Sequence, residues 1–271
     1  MTILDDAKKK AAATYNSASD FYDHPANTFW ERYGRRTIER LHLAEGARVL
    51  DVCCGSGASA IPAAEAVGPS GSVTGVDLAT NLLELARAKA EQRGLTNIQF
   101  KSGDMTELPF ETGSFDLVVC VFGIFFVPDM ETAVRELTRV TRSGGRLAVT
   151  TWGPRFFEPV NNAFWNSVRN VRADLYKGFN PWDRICEVDA LRSLMESVTI
   201  DVDVVAEADS QPIKSLDDWW AMVLGSGYRG TVDQLSPAER EQVRAENLDF
   251  MRREAIGSVE ANVIYAIGKK H

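Results

Sequence analysis

The chain has 271 residues, 45% of them apolar and 25% charged, enough for one elaborated domain with a sizeable core. With 30 basic against 38 acidic residues the formal net charge is -8, which argues against a nucleic-acid partner, because phosphate binding needs a basic footprint. No apolar run approaches a membrane span, the stretch 1–10 is too polar for a signal peptide, and Cys53, Cys54, Cys120 and Cys186 lack the spacing of a metal site, so a cytoplasmic chain with reduced thiols and no metal is expected.

In chain order, residues 27–43 carry apolar side chains at helical spacing (Phe29, Trp30, Tyr33, Ile38, Leu41), and Gly46 separates them from a first strand at 49–52. That strand ends in Gly55-Ser56-Gly57. A helix follows, with Pro62 in its opening turn, where the missing N–H is tolerated. A second apolar run, 73–76, ends in Asp77. Residues 81–93 read as a helix closed by Gly94, and a third strand at 98–101 leads into Gly103-Asp104-Met105. The run 115–121 is almost wholly apolar, as expected of a strand covered on both faces. Asp129 caps a helix running to 142, and Gly144-Gly145 turns the chain into a fifth strand at 146–151. Beyond Trp152 the pattern loosens into an aromatic stretch. A helix at 189–197, a strand at 199–205, helices at 216–224 and 237–253, and a final strand at 259–267 complete the chain. Strands alternating with helices predict an α/β fold: a Rossmann-like, doubly wound, mostly parallel sheet with helices on both faces.

Three acids mark the ends of successive strands. Glycine lets a ligand approach the backbone at a strand-to-helix turn, and Asp77, 20 positions after Gly57, can accept from both ribose hydroxyls of a nucleoside. The pattern Gly55-x-Gly57-x-x-Ala60 also suits a dinucleotide. Asp51, however, lies in the first strand four residues before Gly55, where a carboxylate suits a cationic ligand better than an anionic pyrophosphate. Asp104 stands where an adenine amine can donate to it.

These residues resemble the class I S-adenosylmethionine-dependent methyltransferases, and within them the ubiquinone and menaquinone biosynthesis methyltransferases. VLDVCCGSG is similar to the first motif, GVDL to the ribose-binding acid, GDM to the adenine contact, FDLVVCVFGIFFVPD to the fourth-strand motif and SGGRLAV to the fifth-strand entry. The resemblance covers roughly residues 30–152. It implies S-adenosylmethionine as cofactor, contacted by Asp51, Cys53, Gly55, Gly57, Asp77, Leu78, Gly103, Asp104, Met105, Val121 and Phe122. It also implies that the last two strands pair antiparallel at the sheet edge. Methyl transfer by in-line displacement then requires mainly alignment and exclusion of water.

The acceptor half departs from that family. Where the quinone enzymes carry Met-Asn and then Gly-x-His-Arg-Trp, this chain has Tyr22-Asp23-His24-Pro25-Ala26-Asn27, then Trp30 and Gly34-Arg35-Arg36. A small aromatic or apolar acceptor is expected, with Tyr22, Phe126, Trp152, Tyr228 and Arg229 as substrate contacts and His24 as a candidate base. The segment WWAMVLGSGYRGT reads as part of a helical lid, or equally as core tryptophans and a loop. Residues 1–45 are expected to form an N-terminal helical cap, 46–152 the donor-binding core, and 153–271 the rest of the sheet with lid insertions, all within one domain. A donor-sensing protein without turnover and a nicotinamide dehydrogenase are the alternatives.

Overall fold

The computed structural model describes residues 3–271, with side chains from Asp6 onward; Met1 and Thr2, at the start of the expected cap, lie outside them. The chain opens with helix α1 (Ile3–Tyr22), a short 3-10 turn at Pro25–Asn27 and helix α2 (Phe29–Leu41). Strand β1 (Arg48–Val52), helix α3 (Ala60–Val67), strand β2 (Ser72–Asp77), helix α4 (Thr80–Gln92) and strand β3 (Ile98–Ser102) follow. Next come β4 (Phe115–Val121), α5 (Met130–Val140) and β5 (Thr141–Trp152). The remainder is α6 (Val160–Val171), α7 (Val188–Glu196), β6 (Ile200–Glu207), β7 (Ser210–Pro212), α8 (Leu216–Leu224), α9 (Arg229–Val232), α10 (Pro237–Arg253), β8 (Ser258–Glu260) and β9 (Val263–Lys269).

Seven strands form one sheet in the order β3-β2-β1-β4-β5-β9-β6. Neighbours from β3 through β5 pair parallel, while β9 pairs antiparallel with both β5 and β6. This is the doubly wound arrangement expected from the sequence, with its antiparallel strand at 263–269. Successive side chains of a strand point to opposite faces. In β4, Leu117 and Val119 therefore join the core under α3 and α4, and Val118 and Cys120 the one that contains α5 and α6. The chain reverses its strand order between β1 and β4, so the crevice at their carboxyl ends is the topological switch point where ligands of open α/β sheets bind.

Several boundaries differ from the sequence reading. The expected strand 259–267 is two, β8 and β9, because Asn262 between them holds other segments: its backbone oxygen accepts from Gly153 N–H at 2.7 Å and its Oδ1 from Asp209 N–H at 3.1 Å. The fifth strand starts at Thr141 rather than 146. Its register shifts between Phe115↔Thr141 and Leu117↔Arg146, so the two glycines form an irregularity within the strand and not a turn before it. Trp219 and Trp220 are buried, the first donating from Nε1 to Asn247 Oδ1 at 3.1 Å, which makes that pair core. No helix among the described residues is long and apolar enough to cross a membrane.

Candidate functional site

The crevice above β1 and β4 is a cavity whose floor and rim come from strand tips. Cys53 (φ +61°) follows β1 and Phe122 (φ +55°) follows β4, both in the left-handed region that non-glycine residues enter at a cost of order 1–3 kcal/mol. Gly55 (φ +51°) adopts it freely, and a Cβ there would stand 3.0 Å from the Tyr22 hydroxyl. Among the residues expected to contact the donor, Cys53, Gly55, Asp77 and Leu78 line one side of this cavity. Gly103, Asp104, Met105, Val121 and Phe122 line another. Gly57 does not line it; with φ +85°, it packs beneath the turn against Ile61, 3.0 Å from where its Cβ would be.

Asp77 is presented by the end of β2 with each oxygen half used. Oδ2 accepts from Gly55 N–H at 2.9 Å and Oδ1 from Ala79 N–H at 2.8 Å. A carboxylate oxygen has about two acceptor positions, so one remains on each, which matches a pair of vicinal ribose hydroxyls. Burial raises the Asp77 pKa above the ordinary value, and those backbone N–H groups oppose the rise. Asp51 is wholly buried. Its Oδ2 accepts from Ser59 Oγ at 2.7 Å, but Oδ1 has no partner among the described residues, and burial pushes the carboxyl up to about 7. An orphaned buried carboxylate oxygen is costly unless a donor or cation reaches it. Asp77, at the cavity wall, thus fits the S-adenosylmethionine implied by the resemblance, whereas Asp51, an expected donor contact, is buried and does not line the cavity.

Helix α1 roofs the cavity with Lys8, Ala11 and Tyr15, which the sequence reading gave no site role, and with Tyr22, which it gave as a substrate contact. Lys8, Ala11 and Tyr15 recur at three to four positions, hence on one face, and all line it, as does Tyr22 two turns further on. Lys8 Nζ donates to Asp104 Oδ2 at 2.6 Å and to Thr106 Oγ1 at 2.6 Å. Asp104 Oδ1 accepts from Thr106 N–H and Oγ1 at 2.8 and 2.9 Å. Partial burial raises the Asp104 pKa, but the Lys8 and Thr106 hydrogen bonds outweigh it and hold the carboxyl below its ordinary value. One acceptor position on Oδ2 is left for an adenine amine. The helical spacing of Lys8, Ala11, Ala12 and Tyr15 was the available signal for this roof.

A second cavity, of about 530 Å³, lies on the other side of Tyr15, Phe126, Ala11 and Val127, which line both. Its far walls are Phe125, Trp165, Phe179, Trp182 and Tyr228. The sequence reading singled out Phe126 and Tyr228, and remarked on the aromatic stretch without giving it a role. Tyr228 donates to Asn161 Oδ1 at 2.8 Å.

The other expected acceptor residues lie elsewhere. Trp152 is buried in an aromatic cluster, stacked 3.8 Å from Phe122, and lines neither cavity. Arg229 pairs with Asp20 at 2.9 Å and Asp233 at 2.8 Å, tying α9 to α1. His24 caps the turn Pro25–Asn27 by accepting from Ala26 N–H at 3.1 Å through Nδ1, and it also lines neither cavity.

Residues 5–174, more than half the chain, match the ubiE/COQ5 methyltransferase family. A demethylmenaquinone methyltransferase of Lactococcus lactis is 34% identical over 179 residues, covering 64% of this chain and 70% of that protein. One from Geobacillus kaustophilus is 38% identical over 137 residues, 51% of this chain and 57% of that protein. The crystal structure of YcgJ from Bacillus subtilis superposes with a TM-score of 0.57 at 20% identity, covering 89% of this chain and 99% of that one, a likeness of fold. The chain therefore belongs to the ubiE/COQ5 methyltransferase family, as an S-adenosylmethionine-dependent enzyme that methylates a small molecule.

Proposed function

We propose that the acceptor is a small, planar, predominantly apolar aromatic compound, bound in the second cavity with its reacting atom toward the wall formed by Tyr15 and Phe126. The observation that carries this reading is the shared wall itself: an aromatic chamber of about 530 Å³ meets the donor crevice at side chains that belong to both. Drug-sized ligands occupy chambers of roughly 300–1,000 Å³ with mostly apolar walls. The relatives are named demethylmenaquinone methyltransferases, which supports an acceptor with a quinone-like ring.

On the donor side, Asp77 holds the ribose, the free position of Asp104 the adenine amine, and Gly55 with Cys53 the backbone approach; Asp51 supplies negative charge to the amino-acid end. Bound there, S-adenosylmethionine supplies a methyl carbon activated by a cationic sulfur. The protein's own part is placement: the tips of β1 and β4 set the floor, α1 closes the roof, and the aromatic wall excludes water. No carboxylate or histidine among the described residues lines the acceptor cavity, so the acceptor must lose its proton to solvent or to another group of low acidity. Three functional parts follow: a cap at 1–45, the donor core at 46–152, and a closing segment at 153–271, all in one domain. Four free cysteines support a reducing compartment, the cytoplasm.

The test is conversion of S-adenosylmethionine to S-adenosylhomocysteine with panels of phenols, hydroquinones and alkylamines. Turnover with fused-ring phenols or hydroquinones is expected. Donor binding without turnover on any acceptor would favour a sensor of the methyl donor, whose donor site would look the same.

A further inference from the structure

Helix α1 turns two adjacent faces to two cavities. While Lys8, Ala12 and Tyr15 look toward the donor, Ala7, Lys10 and Thr14 look into the aromatic chamber. A second lysine, Lys177, reaches the same chamber from the loop between α6 and α7, its ammonium 5.4 Å from the centre of the Trp165 ring. No aspartate or glutamate among the described residues lines this chamber. That is notable in a chain with 38 acidic side chains against 30 basic ones.

Nearby cations are satisfied. Lys8 is held by Asp104, and Arg184 donates to the carbonyls of Phe125, Val127 and Pro128 at 2.9–3.0 Å. Lys10 and Lys177 are not: neither makes an ion pair or hydrogen bond with a described residue. Lys177 is partly buried and Lys10 is exposed, both lining the chamber, and burial, with the charge of Lys10 added to it, lowers the pKa of Lys177. Like charges gathered on an apolar wall without a counter-charge are unfavourable, and an anion between them relieves both terms.

We propose that this chamber selects an aromatic acid: an acceptor whose flat apolar body lies among Trp165, Phe179 and Trp182 and whose carboxylate is held by Lys10 and Lys177. The proposal rests on the reading of this chamber as the acceptor site, and it makes the preferred substrate an anion rather than a neutral hydroquinone. A carboxylate–ammonium contact in a partly buried place commonly changes affinity by about tenfold, the effect expected of Lys177, while the exposed Lys10 adds less.

The probes are 3-hydroxy-2-naphthoate and its neutral counterpart 2-naphthol, titrated by tryptophan fluorescence into the full chain saturated with S-adenosylhomocysteine. The wild type is expected to bind the acid at least about tenfold more tightly. Lys177→Met and Lys10→Met should each erode that preference, the double variant should abolish it, and Lys177→Arg should keep most of it. Retained S-adenosylhomocysteine binding reports that each variant is folded. Equal affinity of the wild type for acid and neutral probe, or a preference that survives the double replacement, overturns the proposal. If neutral phenols are methylated but no acid preference exists, this inference fails alone. If a folded, donor-bound wild type turns over neither class, the acceptor-site reading fails with it.

Discussion

Replacing Asp77 by Asn tests the donor site through two hydrogen bonds that can be counted. Each carboxylate oxygen already takes one backbone N–H, from Gly55 at 2.9 Å and Ala79 at 2.8 Å, leaving one acceptor position apiece for the ribose hydroxyls. A hydrogen bond to a charged group contributes about 1.5–3 kcal/mol net, and because the amide keeps one accepting oxygen, about one such bond is lost. At about 1.4 kcal/mol per tenfold, the dissociation constant of S-adenosylhomocysteine should weaken by about 10–10²-fold. The amide can accept only through its oxygen, so either Gly55 or Ala79 N–H also loses its partner, a separate cost of about 1–3 kcal/mol to the glycine turn. Isothermal titration calorimetry at pH 8 measures the affinity, and a thermal melt separates it from unfolding. An affinity within about threefold of wild type, well under 1 kcal/mol, in a folded Asp77→Asn protein would refute the ribose role.

Further expectations come from neighbouring features. Asp51 is raised from 3.8 to about 7, chiefly by burial, so the folded state holds its proton more tightly than the unfolded state does. Its contribution to stability is therefore present below 3.8 and is lost as pH rises toward 7. Asp51→Asn should flatten that part of the slope, narrowing the difference in melting temperature of the unliganded protein between pH 5 and pH 8; an unchanged pH profile would contradict this. A Cβ on Gly34 would lie 2.4 Å from the Ala58 carbonyl oxygen, backbone that cannot turn aside. Overpacking of about 1–3 kcal/mol should make Gly34→Ala melt about 2–12 °C lower, and an unaltered melt would show that α2 is free to shift. Lys8→Met removes the bonds from α1 to Asp104 and Thr106. Amide exchange in residues 6–14 should quicken with little change in global melting, whereas unchanged protection would mean that other contacts hold the roof.

The donor half was legible because its chemistry is local. A glycine turn directly after a buried strand, an acid at the next strand tip and continuous apolar runs all occur within short windows, and the parallel pairing follows from strand–helix alternation. The acceptor half is assembled from distant pieces: α1, the turn after β4, the loop at 177–184 and Tyr228. No window contains it. Arg229 invites a substrate role from its place beside Tyr228 in a glycine-rich turn, yet its partner Asp20 lies 209 positions away. Trp152 likewise reads as a strand-tip contact, but the left-handed turn at Phe122 stacks that ring over it. The first helix was foreseen only as part of an N-terminal helical cap, without bounds of its own, because lysine and alanine dominate its first half, and the apolar face that betrays an amphipathic helix is carried there by alanine.

The most direct measurement is transfer of a labelled methyl group from S-adenosylmethionine to a fused-ring hydroxy acid, with product identified by mass. Labelled product from wild type, lost on Asp77→Asn through donor affinity and on Trp182→Ala with donor affinity retained, is the expected result. Donor that binds tightly while every phenol, hydroquinone and hydroxy acid remains unlabelled would contradict the assignment of the second cavity to the acceptor.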